Sequence, residues 1–451
     1  MTKTYDFFIL GTGPAGQSFA LSARKKGHSV GITDPREYGG ACPNRGCDPK
    51  KVLYAAAKAM VGAQRLCGKG IVKEPITSWP DLMAWKRTFT EPIPSSAKSK
   101  LVGEGVDCFD GAAKFTGPGR LKLEDGTQVE AKHVVIATGA KPAPLDIPGK
   151  QYYLDSEGFL EMEDLPKRLL IIGSGYIGSS FAQISATMGA EVTVIASDDS
   201  PVENFDKDLN DMVVKSAEAK GITFHFNTKA KAIAKMGDGA LQVTCTPEEG
   251  DDYTVTVDRV IHCAGRVPNV KGIGLEAAGI KFGKQGIKVD DRMRTNVANH
   301  FAIGDCGDSG LPLTPVASYE ARLLADNLLE GKDRTINYFP IPTVAFTLPP
   351  ITAVGMTAEQ AQDDPRDLKI KFEDTTDWFT NRHINAVTAG YKLIIDEAED
   401  MVVGAHLLGD DADEAINLFA MAIHHKITIT ELRDMVFAYP TMANDLKKMI
   451  G

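Results

Sequence analysis

The chain has 451 residues, of which 43% are hydrophobic and 24% charged, a composition typical of a globular protein of about two to four domains. Its formal net charge of −10 argues against nucleic acid as the main partner. No apolar run approaches the roughly 20 residues of a membrane span, and the chain enters its first predicted strand almost at once. We therefore expect a cytoplasmic protein with no signal peptide and no membrane partner.

The first predicted elements are a strand, a glycine-rich turn and a helix. The apolar run Phe7–Leu10 precedes Gly11-Thr-Gly13-Pro14-Ala15-Gly16, and a helical pattern follows. Glycines in this arrangement let a pyrophosphate lie on the helix N-terminus, as in a Rossmann unit. The next strand ends at Asp34, eighteen residues after Gly16, where an acidic residue can accept both hydroxyl hydrogens of an adenosine ribose.

Two cysteines follow this unit in the segment Gly39-Gly40-Ala41-Cys42-Pro-Asn-Arg-Gly-Cys47-Asp-Pro-Lys50-Lys51. Four residues separate them, in a predicted glycine-flanked turn that leads into a helix, so a disulfide between them can open and close with little movement. The helix start and the two lysines favour the thiolate of whichever sulfur faces them. Because the pair follows a dinucleotide loop, we predict that the sulfurs exchange electrons with a bound cofactor.

The other five cysteines are scattered, and we predict buried or indifferent thiols for them. Structural disulfides are rare in the cytoplasm. No spacing of cysteine and histidine predicts a metal site. These five residues are Cys67, Cys108, Cys245, Cys263 and Cys306.

A second dinucleotide unit begins with the strand Arg168–Ile172 and the loop Gly173-Ser-Gly175-Tyr176-Ile177-Gly178. After the next strand, Glu191–Ile195, Ala196 occupies the position that Asp34 occupies in the first unit. Two units of matched spacing are the pattern expected when two nucleotide cofactors meet.

Three strand ends with small residues complete the nucleotide-binding part. They are Val134–Ala140, Arg259–Asn269 and Phe301–Cys306. Small residues there allow a backbone to approach a cofactor closely. Asp305, in the last of them, suits a polyol ligand, although the motif alone favours a helix cap before the predicted helix Pro315–Leu329.

From about Tyr338 the predicted strands Thr343–Thr347 and Tyr391–Ile395 alternate with turns. Two predicted helices, roughly Glu414 to His425 and Thr430 to Phe437, close the chain. No glycine-rich loop lies here, which favours a third domain used for association.

These motifs together resemble the flavoprotein disulfide reductases, the family of glutathione reductase, dihydrolipoamide dehydrogenase and mercuric reductase. The resemblance covers essentially the whole chain, and its motifs occur in the family's order: GTGPAG, GGACPNRGCDPKK, ATGA, GSGYIG, CAGRVPN, AIGDC, LTPVA and YPTMA. It implies an α/β fold of two Rossmann-like dinucleotide-binding domains plus a C-terminal α+β dimerisation domain. The implied domains are 1–147 (FAD), 148–266 (NAD(P)), 267–336 (return to the FAD domain) and 337–451 (interface). It also implies a homodimer whose active site is completed by the partner subunit's C-terminal domain.

The resemblance assigns a role to each matching residue. Cys47 would be the thiolate that faces the flavin, Cys42 the thiol that attacks the substrate, and Tyr439 and Lys51 would complete the catalytic set, with Lys50 as the alternative lysine near the flavin. The implied FAD site comprises Gly11, Gly13, Pro14, Ala15, Gly16, Asp34, Gly40, Ala41, Cys42, Lys51, Ala113, Ala137, Thr138, Gly139, Gly304, Asp305, Leu313, Thr314, Pro315 and Val316, of which Asp305 would bind the ribityl chain. The implied NADH or NADPH site comprises Gly173, Gly175, Tyr176, Ile177, Gly178, Ser197, Gly265 and Arg266.

The C-terminal motif departs from the family. The usual ending is His-Pro-Thr followed by a glutamate, which together supply the acid–base group, but this chain has Tyr439-Pro-Thr-Met-Ala-Asn444-Asp445. A tyrosine with a pKa near ~10 is a poor base at neutral pH, although it can donate a proton. A tyrosine at this position resembles mercuric reductase, but this chain ends without that enzyme's C-terminal cysteine pair. Alternatively, Tyr439 packs at the dimer interface.

Two further departures concern the cofactors. Ser180 stands where many members have a glutamate that pairs with the flavin lysine. Without that carboxylate, the lysine charge should favour reduced flavin and the Cys47 thiolate; the alternative is a solvated or substrate-facing charge. The segment Ala196–Glu203 contains three acids and no arginine, which favours NADH over NADPH.

The leading hypothesis is an FAD-dependent NAD(P)H oxidoreductase, with NADH preferred, that reduces an unassigned small-molecule or protein disulfide through Cys42 and Cys47. A reductase of metal ions or quinones, and an electron-transfer subunit of a lipoyl or thiol complex, are the alternatives.

Overall fold

The computed structural model describes residues 2–203 and 205–451. The chain divides into two compact units, each built from three segments. Unit 1 comprises residues up to 51, 84–143 and 265–338, and unit 2 comprises 52–83, 144–264 and 339–451. Two helices, Cys47–Arg65 and Trp79–Thr90, run from one unit into the other.

Unit 1 is an α/β unit around a seven-stranded sheet. The strands of unit 1 are Thr2–Leu10, Val30–Asp34, Asp107–Asp110, Ala113–Gly117, Arg120–Leu123, Gln128–Ile136, Ala140–Pro142, Arg266–Pro268, Phe282–Gly283, Gly286–Ile287 and His300–Ala302. Its other helices are Pro14–Lys25, Ala41–Arg45, Ile93–Gly103, the 3₁₀ turn Gly304–Cys306 and Thr314–Glu330.

The register of this sheet brings the predicted FAD-binding segments to one edge. Leu10 lies beside Thr33 on one neighbouring strand and beside Ile136 on the other, and Ile136 lies beside Ala302. All of these pairs are parallel, so four strands have their carboxyl ends at the same edge of the sheet. Ligands of doubly wound sheets bind outside this edge.

Unit 2 contains a second parallel sheet and two antiparallel sheets, one of three strands and one of five. The strands of unit 2 are Tyr153–Asp155, Arg168–Ile172, Glu191–Ile195, Ile222–His225, Thr228–Lys235, Leu241–Pro247, Tyr253–Val257, Arg259–His262, Thr343–Ala345, Ile351–Gly355, Leu368–Asp374, Gly390–Asp396 and Met401–Leu408. Its helices are Lys150–Tyr152 (3₁₀), Ser156–Phe159, Tyr176–Thr187, Lys207–Glu218, Ala358–Gln362, Phe379–Arg382, Ala412–His425, Ile429–Asp434 and Met442–Ile450.

The parallel sheet of unit 2 places Arg168–Ile172 between Glu191–Ile195 and Arg259–His262. Ile172 lies beside Ile195 and His262, so the second glycine loop also starts at the carboxyl edge of a parallel sheet. The five strands after residue 342 form the five-stranded antiparallel sheet, on which the last helices pack through Phe419, Leu407 and neighbouring apolar residues.

The fold confirms the predicted class of two dinucleotide-binding-type sheets plus a C-terminal α+β region. The predicted number of closing helices was wrong. Three helices, not two, close the chain, because Thr441 caps an additional helix, Met442–Ile450, by accepting from the Asn444 N–H. Among the described residues, no helix is long and apolar enough to cross a membrane.

Candidate active site

The first glycine loop is built as the sequence predicts. The Gly11 N–H donates to Thr33 O at 2.8 Å, which ties the loop to the neighbouring strand. Pro14 then opens the helix Pro14–Lys25, in which a proline at the first position suits the fixed backbone angle. The free N–H groups of this helix start point along the carboxyl edge of the sheet, where a phosphate can lie.

Asp34 ends the second strand and is fixed by three donors. One carboxylate oxygen accepts from both the N–H and the hydroxyl of Thr12, each at 2.8 Å, and the other accepts from Arg36 N–H at 3.0 Å. This anchoring holds the carboxylate at the mouth of the glycine loop, and each oxygen retains acceptor capacity for a ribose hydroxyl.

The two cysteines lie in consecutive helices rather than in the turn that we predicted. Cys42 belongs to Ala41–Arg45, and Cys47 is the first residue of Cys47–Arg65. Gly46 separates the helices. The buried Asn44 side chain donates to Tyr38 O and Gly40 O, each at 2.9 Å, and so fixes the segment from inside.

A close backbone approach places this segment against the first glycine loop. Gly40 has φ +78°, and a Cβ there would lie 2.5 Å from Gly13 Cα. A side chain at Gly40 would push the two segments apart. The sulfurs are therefore carried on a segment in direct contact with the predicted pyrophosphate site.

The two thiols have opposite acidities. Cys42 donates a hydrogen bond to Cys47, which lowers the pKa of Cys47 to about 6 and raises the pKa of Cys42. The Lys50 charge and the Thr314 hydroxyl lower the pKa of Cys47 further. Partial desolvation opposes them: although Cys47 is exposed, protein atoms crowd its sulfur. At neutral pH, Cys47 is thus the thiolate and Cys42 the thiol.

The charged residues beside the pair differ in position. Lys50 is half-buried, and burial lowers the pKa of its ammonium group, whereas Lys51 is exposed. The positive charge of Lys50 lowers the pKa of Cys47. Asp48 follows Cys47 directly, burial raises the pKa of its carboxyl group, and its charge raises the pKa of both thiols.

The remaining predicted flavin residues meet at the same sheet edge. Ala137 ends one strand, and its N–H donates to Leu10 O at 2.8 Å. The Thr138 hydroxyl is buried and lies beside the Cys306 thiol, whose pKa it lowers. Burial raises the pKa of Asp305, while Arg266 acts in the opposite direction. A buried hydroxyl and a half-buried carboxyl with spare acceptor capacity fit a polar ligand such as the ribityl chain of FAD.

Asp305 does not cap the following helix, contrary to the interpretation that the isolated motif favoured. Leu313 is the N-cap of Thr314–Glu330, and Asp305 lies in the 3₁₀ turn Gly304–Cys306. Thr314, the first helical residue, turns its hydroxyl to the two sulfurs.

The second glycine loop, in unit 2, is also tightly packed. A Cβ at Gly178 would lie 1.9 Å from Gly173 O, so the helix Tyr176–Thr187 starts directly on the loop. Ser197 is exposed and donates to Asp198 at 3.3 Å. Ala196 is buried, with backbone bonds to His225 and Thr228, and the described residues 196–203 after this strand include no lysine or arginine.

Two residues at which the chain departs from the family's motifs, Ser180 and Asp445, are held by hydrogen bonds to nearby groups. The Ser180 hydroxyl donates to Tyr176 O at 2.8 Å, within its own helix. Tyr439 is 77% exposed, whereas Asp445 is buried and accepts from Thr380 and pairs with Lys448 at 3.4 Å. Asp445 therefore serves the packing of the last helix and does not orient Tyr439.

Sequence reasoning overlooked two residues near the pair. Asp48 carried a signal, since a carboxylate beside a redox cysteine is a charge at the reacting centre. Glu320, which accepts from Gly304 N–H at 2.6 Å, carried none, because only the fold brings the middle of a helix to a strand end sixteen residues away.

Two dinucleotide-type sheets, two glycine loops and a close thiol pair of split acidity define a nucleotide-dependent dithiol oxidoreductase. Comparison with known proteins gives the family: pyridine nucleotide-disulphide oxidoreductase matches residues 5–321, and its dimerisation domain matches residues 341–450. The chain belongs to this family of flavoprotein disulfide reductases, whose members use FAD and a pyridine nucleotide.

The similar proteins span this chain almost completely. Dihydrolipoyl dehydrogenase of Bacillus subtilis is 32% identical, covering 97% of this chain and 94% of its own length. Glutathione reductase of Schizosaccharomyces pombe is 31% identical, covering 100% and 99%. The solved structure of the HOCl-induced flavoprotein disulfide reductase RclA from Escherichia coli has a TM-score of 0.89 and 27% identity, with 99% of both chains covered. RclA has also been solved as a Cu(II) complex.

Proposed function

We propose that this enzyme is an FAD-dependent, NADH-preferring reductase that passes electrons to a disulfide substrate through Cys42 and Cys47. The observation that carries the proposal is the opposite shift of the two thiol pKa values. Cys47 has a pKa of about 6, while the pKa of Cys42 is raised. A thiolate on one side and a protonated thiol on the other are the two states that electron transfer and thiol exchange require.

The site residues fit the cofactor that the family uses. Gly11, Gly13 and Asp34 would hold the adenosine and pyrophosphate of FAD, and Asp305 its ribityl chain. When bound, FAD supplies the two-electron chemistry that links a nicotinamide to the Cys42–Cys47 disulfide. The chain's own task is to hold both sulfurs at the flavin edge.

Thiol exchange then proceeds through residues of this chain. Cys42 first gives its proton to the neighbouring Cys47 thiolate and then attacks one sulfur of the substrate, so that a Cys42–substrate disulfide forms. The other substrate sulfur leaves as a thiolate and takes up that proton, which restores the Cys47 thiolate. The Cys47 thiolate attacks Cys42, which restores the internal disulfide and releases the second thiol. NADH and one proton are consumed for each disulfide that is reduced.

The missing histidine favours a disulfide substrate whose leaving thiol needs little protonation. A leaving thiol of low pKa departs without protonation, so the proposal favours activated or protein disulfides over glutathione disulfide. Tyr439, exposed on its own subunit, would reach the thiol pair of the partner subunit as a hydrogen-bond donor. A homodimer in the reducing cytoplasm is part of this proposal.

NADH is the proposed donor because of the loop that follows Ile195. Asp198 and Asp199 are exposed acids there, and Ala196 and Ser197 carry no charge. A 2′-phosphate would meet repulsion and no cation.

The test is anaerobic reduction of the holoenzyme with NADH, and separately with NADPH, while its visible spectrum is recorded. We expect a long-wavelength thiolate-to-flavin band at the two-electron stage, formed faster with NADH. Cys47→Ser should abolish the band, whereas the matched control Cys67→Ser should retain it. Bleaching of the flavin without such a band in the parent enzyme would refute electron transfer to the pair.

A metal-ion reductase is the second candidate, supported by the structural similarity to RclA, which has been solved as a Cu(II) complex. A dithiol is a soft ligand for copper. Among the described residues, no group of three or more His, Cys, Asp or Glu side chains could hold a metal. Cu(II)-dependent NADH oxidation that is lost in Cys42→Ser would support this candidate.

A lipoyl substrate is the third candidate, supported by the similarity to dihydrolipoyl dehydrogenase.

A further inference from the structure

The buried carboxylate of Glu320 connects the two ends of the loop that runs from Gly304 to Thr314. Glu320 lies in the helix Thr314–Glu330 and is 1% exposed. One of its oxygens accepts from the Gly304 N–H at 2.6 Å. The other accepts from the Ser309 hydroxyl at 2.9 Å and from the Tyr338 hydroxyl at 2.5 Å. Three donors around one buried carboxylate form a built polar cluster and not an incidental contact.

Gly304 and Thr314, at the two ends of this loop, serve different parts of the proposed site. Gly304 directly precedes Asp305, the acid assigned to the ribityl chain. Thr314, at the other end, starts the helix and turns its hydroxyl to Cys42 and Cys47. Glu320 belongs to the same helix as Thr314 and bonds to Gly304, so one side chain fixes the distance between the two ends.

The packing around Gly304 makes this bond specific. Its φ is +69°, and a Cβ there would lie 3.3 Å from Ala317 Cβ and 3.6 Å from Ala15 Cβ. Ala317 and Glu320 stand one turn apart on the same helix face. The positive φ and the close contact with Ala317 favour glycine at this strand end, where the Gly304 N–H donates to Glu320.

Tyr338 closes the cluster from the last residue of unit 1. Its ring covers Gly310, where a Cβ would lie 2.9 Å from the Tyr338 hydroxyl oxygen. Burial and the bond to Glu320 raise the pKa of Tyr338, so its hydroxyl remains protonated as a donor. Ser309 and Tyr338 therefore hold the middle of the loop, while Gly304 is held at its start.

We infer that Glu320, with the hydroxyls of Ser309 and Tyr338, is a positioning cluster that holds the Gly304–Asp305 turn and Thr314 at the spacing needed by FAD and the thiol pair. Glu320 acts through Asp305 and Thr314. The inference rests on the proposed function, because that proposal assigns FAD to this edge of the sheet.

The experiment compares Tyr338→Phe, Ser309→Ala, Glu320→Gln and Glu320→Ala with the matched control Tyr319→Phe. Tyr319 is the neighbouring tyrosine, whose hydroxyl bonds only weakly to Asn337 O at 3.3 Å. Two readouts are measured: the FAD dissociation constant of the apoprotein by flavin fluorescence, and the pH midpoint of the long-wavelength band in the two-electron-reduced holoenzyme.

We expect Tyr338→Phe to raise the FAD dissociation constant about tenfold, and Glu320→Ala about a hundredfold, since a bond to a charged group is lost in each. Both substitutions should also raise the pH midpoint of the thiolate-to-flavin band, because the Thr314 hydroxyl would then no longer face Cys47. Glu320→Gln should be intermediate, since its oxygen can still accept from Gly304. Tyr319→Phe should equal the parent.

If Glu320→Ala does not fold, Tyr338→Phe and Ser309→Ala still decide the matter. The inference is overturned if both bind FAD with the parent's dissociation constant and show an unchanged band, even where their melting temperature falls, because that pattern describes a purely structural cluster. A parent enzyme that binds FAD but shows no band would refute the proposed function instead, and the dissociation constants would then test the cluster by themselves.

Discussion

The Cys42 thiol donates a hydrogen bond to the sulfur of Cys47, and this contact is the largest single cause of the low pKa of Cys47. The same contact raises the pKa of Cys42. The pair therefore shares one proton at neutral pH, and each residue that touches it shifts where that proton lies.

The first prediction concerns Cys42→Ala. Removing the donor destabilises the Cys47 thiolate, so the pKa of Cys47 should rise from about 6, by about one to two units. In the oxidised holoenzyme the thiolate-to-flavin band should then appear only at higher pH. A spectral pH titration measures this midpoint, with Cys67→Ala as the control. An unchanged midpoint would show that the contact does not set the acidity.

Asp48→Asn tests the carboxylate beside the pair. Its negative charge raises the pKa of both thiols, so its removal should lower the pKa of Cys47 below about 6 and move the midpoint of the band down by about half a unit. Asp81→Asn is the matched control, since Asp81 is also an acid in the first turn of a helix. A midpoint that moves upwards would contradict the assigned electrostatics.

The two adjacent lysines should behave differently. Lys50→Met removes a cation that lowers the pKa of Cys47, so the midpoint should rise by about one unit. Lys51→Met, at the exposed neighbour, should leave the midpoint nearly unchanged and serves as the control. Equal shifts for the two variants would mean that both ammonium groups act on the sulfur.

Thr314→Val should also raise the pKa of Cys47, because the hydroxyl lowers it in the parent. The expected shift is about half a unit. Thr314→Ser retains the hydroxyl and should restore the parent's midpoint. If the serine variant behaves like the valine variant, the methyl group and not the hydroxyl is what the site requires.

The C-terminal motif offers a gain-of-function test. Tyr439→His with Asn444→Glu rebuilds the acid–base pair of the family, and we expect turnover of glutathione disulfide or lipoamide to rise by about tenfold or more. Tyr439→Phe is the matched control that removes only the hydroxyl. Steady-state kcat with each disulfide gives the answer, and no gain in the double variant would place the limit elsewhere than in proton transfer.

Much of the fold was readable because its signals are local. A strand, a glycine loop and an acid at fixed spacing predicted the first dinucleotide-type unit around Gly11 and Asp34, and the parallel strands beside Leu10 confirm that fold. The third closing helix was missed because its start depends on one cap, Thr441, in a segment of weak periodicity. The placement of both cysteines in helices was missed because glycines on either side are typical of a turn.

The sequence by itself determined the family, the two glycine loops and the pair of sulfurs, since each depends on residues close together along the chain. The family resemblance assigned the thiolate to Cys47, but only the tertiary structure showed which contacts lower its pKa and what holds the site in place. Thr314 reaches the thiols from a segment more than 250 residues away, and Glu320 reaches Gly304 across a loop. Such contacts leave no periodic signal, because the side chains that make them are brought together by the packing of a helix on a strand end.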